Sequence, residues 1–65
     1  MVYAIVRYKM FEGPIEIISL YDDYQECKRH RKMICQAMPC NDYAYELRGI
    51  NSAKNPKVGD IIGEV

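Results

Sequence analysis

MVYAIVRYKM (residues 1–10), the turn residues EGP (12–14) and the return IEIISLY (15–21) decide the fold. In the first run Val2, Ala4, Val6 and Tyr8 alternate with Tyr3, Ile5, Arg7 and Lys9, the period-two pattern of a half-buried strand. Glu12-Gly13-Pro14 is turn chemistry, with Gly available for positive φ and Pro fixing the entry to the next segment. Ile15 to Tyr21 is rich in β-branched residues and reads as the return strand of a hairpin. The loop between them is about four residues, an ordinary hairpin length.

A helix is predicted directly after this hairpin, starting at Asp22-Asp23. Asp23 with Glu26 three residues on matches a capping box, and acids here also suit the helix dipole. Pro39 disfavours helical geometry in the residue before it, so the helix should end near Ala37 or Met38. At 3.6 residues per turn, Gln25, Lys28, Arg29, Lys32 and Gln36 share one side. Tyr24, Cys27, Met33, Ile34, Cys35, Ala37 and Met38 share the other. Pro39-Cys40-Asn41-Asp42 reads as a loop and Tyr43 to Ile50 as a third strand. Asn51 to Lys57 is polar, and Val58 to Val65 is either a short strand or a tail, with Gly59 and Gly63 weakening the strand reading. The expected fold is α+β: one domain over residues 1–65, a small antiparallel ββαβ sheet with an optional fourth strand, and one amphipathic helix on one face.

Composition narrows the function. Nine Lys and Arg balance nine Asp and Glu, whereas a DNA-binding domain of this size is usually strongly basic. The first apolar run is broken at Arg7, too early for a signal core or a membrane span. Three cysteines make an odd number, and Cys27 and Cys35 would lie about 12 Å apart along a helix, beyond disulfide reach. Reduced cysteines in a cytoplasmic protein are expected. A chain this short buries only about 60% of its unfolded surface, which leaves little room for a substrate pocket. With one His, no serine or carboxylate partner evident for it and no glycine-rich phosphate loop, catalysis is not expected and no cofactor is implied.

Two clusters remain. Cys27, His30, Cys35 and Cys40 follow the spacing of a retroviral-type zinc knuckle with the middle Cys and His exchanged. A helix sets His30 and Cys35 about 140° apart, so core cysteines with His30 at the margin is the favoured reading and no metal is expected. The run Lys28-Arg29-His30-Arg31-Lys32 scatters on a helix: Lys28, Arg29 and Lys32 form a solvated ridge, while Arg31 falls within the apolar face and is expected to snorkel. Six tyrosines stand against one Phe and no Trp. Tyr3 shares a face with Arg7 and Lys9, and Tyr43 shares one with Tyr45. Since one helix covers one side of a sheet, Tyr3, Arg7, Lys9, Tyr43 and Tyr45 are expected on the open side as a partner-binding set, with Arg29 and Lys32 second. Tyrosine beside arginine suits a protein interface. A nucleic-acid surface built on Lys28, Arg29, Lys32 and the tyrosines is the alternative, and pairing of two copies through a sheet edge is a third.

The stretch Tyr3 to Tyr43, anchored by Tyr21-Asp22-Asp23-Tyr24-Gln25-Glu26-Cys27 and Pro39-Cys40, resembles short accessory proteins of enterobacterial chromosomes and lambdoid prophages. Asn51 to Val65 has no counterpart in that pattern. The resemblance implies a protein that modulates or inhibits a host protein or defence system, and it implies no catalytic residues.

Overall fold

A computed structural model describes residues 1–37 and 42–64. The elements are β1 (Val2–Lys9), β2 (Pro14–Tyr21), α1 (Tyr24–Ala37), β3 (Tyr43–Ile50), a 3-10 turn (Ser52–Lys54) and β4 (Ile61–Glu64). They form one antiparallel sheet in the order β3-β1-β2-β4, with α1 on one face. The α+β expectation therefore holds, and the open choice at the C-terminal segment resolves as a short strand. Gly63 is accommodated there because it sits opposite Ile15, whose side chain occupies the adjacent space.

β1 is buried on both faces. On the helix side Ile5 and Tyr45 pack with Cys27, surrounded by Tyr3, Ile18, Tyr21, Ile34 and Leu47. On the other side Ala4, Val6, Ile15 and Ile17 form a second cluster with Tyr8, Leu20 and Ile50. Residues 51–60 join β3 and β4 at opposite edges of the sheet. Asn51 and Lys54 of this segment line one depression together with Arg48, Ile50 and Ile62. An irregularity in the β1–β2 ladder reconciles the two cores. Ile5 pairs with Ser19 and Val6 with Ile17, which makes Ile18 the extra residue of a bulge. The bulge shifts the alternation by one residue, so Ile17 and Leu20 serve one cluster while Ile18 and Tyr21 serve the other.

Asp23 caps the helix, its carboxylate accepting from the Gln25 N–H at 3.3 Å. The face that meets the sheet is narrower than the apolar arc suggests. Cys27 and Ile34 carry the packing, whereas Tyr24, Met33, Cys35 and Ala37 are exposed and Met38 lies outside the described residues. The expected core role of Cys35 is thus corrected. The physical reason is spacing: Cys27, His30, Arg31 and Ile34 form the i, i+3, i+4, i+7 stripe that lies nearest the sheet. Its two polar members are both bonded to the sheet. His30 Nδ1 lies 2.9 Å from the Tyr21 hydroxyl, with the rings edge to face. Arg31 Nε donates to the Tyr45 carbonyl at 3.0 Å. Arg31 does snorkel, and its head reaches a strand backbone.

On the face away from the helix, Tyr8 donates to Glu46 at 2.7 Å and Arg48 donates to the other carboxylate oxygen at 3.3 Å. The Tyr8 hydrogen bond, assisted by Arg48, holds the Glu46 carboxyl below the usual carboxylate range, and the same bond pushes the Tyr8 phenol up.

Replacing Arg31 by Met keeps the stem and removes the donor. Urea unfolding should then show a loss of about 1 kcal/mol, with a larger loss for Arg31→Ala because the packed stem goes too. Glu46 sets an acid dependence whose sign follows from its depressed pKa. Its contribution is complete above the unfolded glutamate value of about 4.3 and is lost as pH falls through the lower folded value. The urea midpoint should therefore drop between pH 6 and pH 3, and the drop should be shallower in Glu46→Gln.

Candidate functional site

Past Val6 only Tyr8 of β1 still packs on a core, and Arg7 and Lys9 enter the hairpin end of the sheet. Arg7 lies opposite Glu16 on β2 and Tyr45 on β3, and Lys9 lies opposite Tyr43. The Arg7 guanidinium bonds Glu16 at 2.9 Å and lies 5.2 Å from the centroid of the Tyr43 ring. Lys9 approaches Glu12 at 3.9 Å. Together with Pro14 these residues line a depression of about 340 Å³ to which α1 contributes nothing.

The turn beside this depression is unusual. The Glu12 N–H donates to the Lys9 carbonyl at 3.3 Å, and the Met10 N–H donates to the Asp42 carbonyl at 3.0 Å. Between them Phe11 takes φ 72°, and Gly13 takes φ 95°. Positive φ is free for glycine but costs a bulky L-residue roughly 1–2 kcal/mol. Phe11 is also 89% exposed, and Met10 beside it is 46% exposed. The chain's sole phenylalanine thus stands in water on a strained backbone.

The structure gathers three of the sequence-predicted residues, Arg7, Lys9 and Tyr43, at this end. It does not bring the rest with them. Tyr45 is buried, at 8% exposure, and Tyr3 is half-buried with its ring edge to face on Tyr24, their centroids 5.5 Å apart. The expectation that these two face an open side is corrected. The helix covers the face carrying Tyr3 and Tyr45. Arg29 and Lys32 are exposed on α1 and take no part in the hairpin-end depression. Sequence reasoning missed Met10 and Phe11. The available signal was two large apolar residues placed immediately before a Glu-Gly-Pro turn, where polar residues are the norm.

The cysteine–histidine set is dispersed by the helix. Cys27 is buried, and burial pushes its thiol pKa up, as suits a core residue; Cys35 is exposed, and His30 is engaged with Tyr21. Cys40 lies outside the described residues. Among the described residues no helix is long and apolar enough to cross a membrane.

Phe11→Gly relieves the positive-φ strain and removes a side chain that touches little. The substitution should raise the melting temperature by about 5 °C, corresponding to roughly 1 kcal/mol in a domain of this size. A thermal melt followed by far-UV circular dichroism would measure it. No family model, curated protein or solved structure matches this chain.

Proposed function

We propose that this chain is a small non-enzymatic protein-binding module that engages its partner through the hairpin end, with Phe11 as the apolar anchor and Met10, Arg7, Lys9 and Tyr43 around it. Phe11 carries the reading. Its exposure and its backbone strain are two unfavourable features at one residue, and the fold gains from neither. A rigid aromatic side chain on a short turn is what a partner's pocket would take up.

The electrostatics favour a protein over a nucleic acid. Glu16 and Glu12 offset Arg7 and Lys9, so the surface offers phosphates no net attraction. The same pairing leaves no uncommitted acid or base beside a nucleophile, which supports a binding role. The resemblance carried by Tyr21–Cys27 and Pro39-Cys40 supports a finer form of the proposal. In that form the protein is a cytoplasmic prophage accessory factor that modulates or inhibits a host protein or a defence system.

The test begins with native mass spectrometry of protein purified gently from its source cells after nuclease treatment. A stoichiometric protein partner is expected. Affinity for that partner should fall at least about thirtyfold in Phe11→Gly, the scale of an interface hot spot. It should also fall in the Arg7→Ala, Tyr43→Ala double variant, with circular dichroism unchanged. Unaltered affinity in both variants would overturn the assignment. Recovery of nucleic acid with a steep salt dependence would transfer the function to the Lys28, Arg29 and Lys32 ridge.

A further inference from the structure

We propose that the free edge of β3 and the adjoining side of α1 form a second docking site, which takes an extended acidic peptide as a fifth strand of the sheet.

The backbone supplies the template. Among the described residues β3 pairs only with β1, so its other side is a sheet edge on which Arg31 already holds the Tyr45 carbonyl. The Met10 N–H bonds the Asp42 carbonyl, and strand alternation then turns the backbone groups of residues 42, 44, 46, 48 and 50 toward β1. Those of Tyr43, Tyr45, Leu47 and Gly49 point outward. Arg31, reaching across from α1, takes the Tyr45 carbonyl and fits this parity. Among the described residues, no hydrogen bond outside the strand ladders reaches Leu47 or Gly49. Strand addition satisfies such groups directly.

The side chains beside the edge select the occupant. Tyr24, Lys28 and Arg31 are spaced i, i+4, i+7 on α1 and line a groove of about 290 Å³ with Leu47 and Glu46 of β3. Lys28 is exposed and forms no ion pair among the described residues. Arg31 spends its Nε on the carbonyl, and its terminal nitrogens remain available. The Glu46 carboxylate is turned to the other face of the sheet, where Tyr8 and Arg48 share it. Lys28 and Arg31 lie on the helix side of this edge, so an added strand that turns its acidic side chains to that side and its apolar ones to the other fits it.

A second copy of this chain is the competing occupant. Two β3 edges paired about Leu47 would set Glu46 against Arg48 of the other copy, which is favourable. The same pairing brings both Lys28–Arg31 stripes onto one face of the joined sheet, cation against cation, and an acidic peptide avoids that repulsion. β4, the other edge, is four residues long, follows Asp60 and ends in Glu64, which suits it poorly to the same ligand.

A fluorescein-labelled ten-residue peptide of strictly alternating Glu and Val, titrated against the full chain by fluorescence anisotropy, tests the site. Binding is expected, with slowed hydrogen exchange at the Leu47 and Gly49 amides in NMR spectra. Lys28→Glu should weaken it about tenfold or more, and N-methylation of alternate peptide nitrogens on the strand-pairing side should abolish it. Phe11→Gly should leave it unchanged, which separates this site from the hairpin end. No binding at millimolar peptide would overturn the proposal, as would binding indifferent to Lys28→Glu or to N-methylation. Sedimentation as a dimer without peptide would assign the edge to a second copy instead.

Discussion

Everything in this fold hangs on β1 being buried on both faces. Ile5 feeds the core under the helix while Ala4 and Val6 feed the core on the other face, so three consecutive residues anchor two separate apolar clusters. A chain of 65 residues cannot afford a thick core, and two thin ones sharing a central strand are its solution. The arrangement also explains why function gathers where it does. Past Val6 only Tyr8 of β1 still packs on a core, while Arg7 and Lys9 turn to charge pairs beside a solvent-exposed turn.

The helix is held by an uneven mixture of forces. Cys27 and Ile34 bury apolar surface, but His30 and Arg31 between them reach the sheet through polar atoms. Each of those contacts ties α1 to a different strand, Tyr21 of β2 and Tyr45 of β3. Packing alone would let so small an apolar stripe slide across the sheet, whereas two directional bonds fix its position. Arg31 therefore has two roles: it orients the helix and it occupies part of a strand edge.

Much of this was legible in the residues. The alternation in 1–10, the Glu-Gly-Pro turn and the Asp23 cap led to a hairpin and a helix whose bounds lie within two residues of those observed. The spacing that put Arg31 on the inner side of the helix was equally informative. What failed was the assignment of faces. Periodicity tells which residues share a side, but not what covers that side, and Tyr3 and Tyr45 lie on the side the helix covers. Ile17-Ile18 hid a bulge for a similar reason: a β-branched run looks the same with or without an extra residue. At the site, Arg7, Lys9 and Tyr43 were identified through shared strand faces. Phe11 escaped because its importance lies in a backbone angle that composition does not encode.

β4 has a consequence out of proportion to its four residues. It covers the outer edge of β2, where Gly59 and Asp60 bond the Ile17 backbone and Gly63 pairs with Ile15. Short peripheral strands open more readily than the sheets they border. Each such opening would bare the β2 edge from Pro14 to Ile17, a template for pairing with a strand of another chain. β4 thus shields a strand edge as well as extending the sheet.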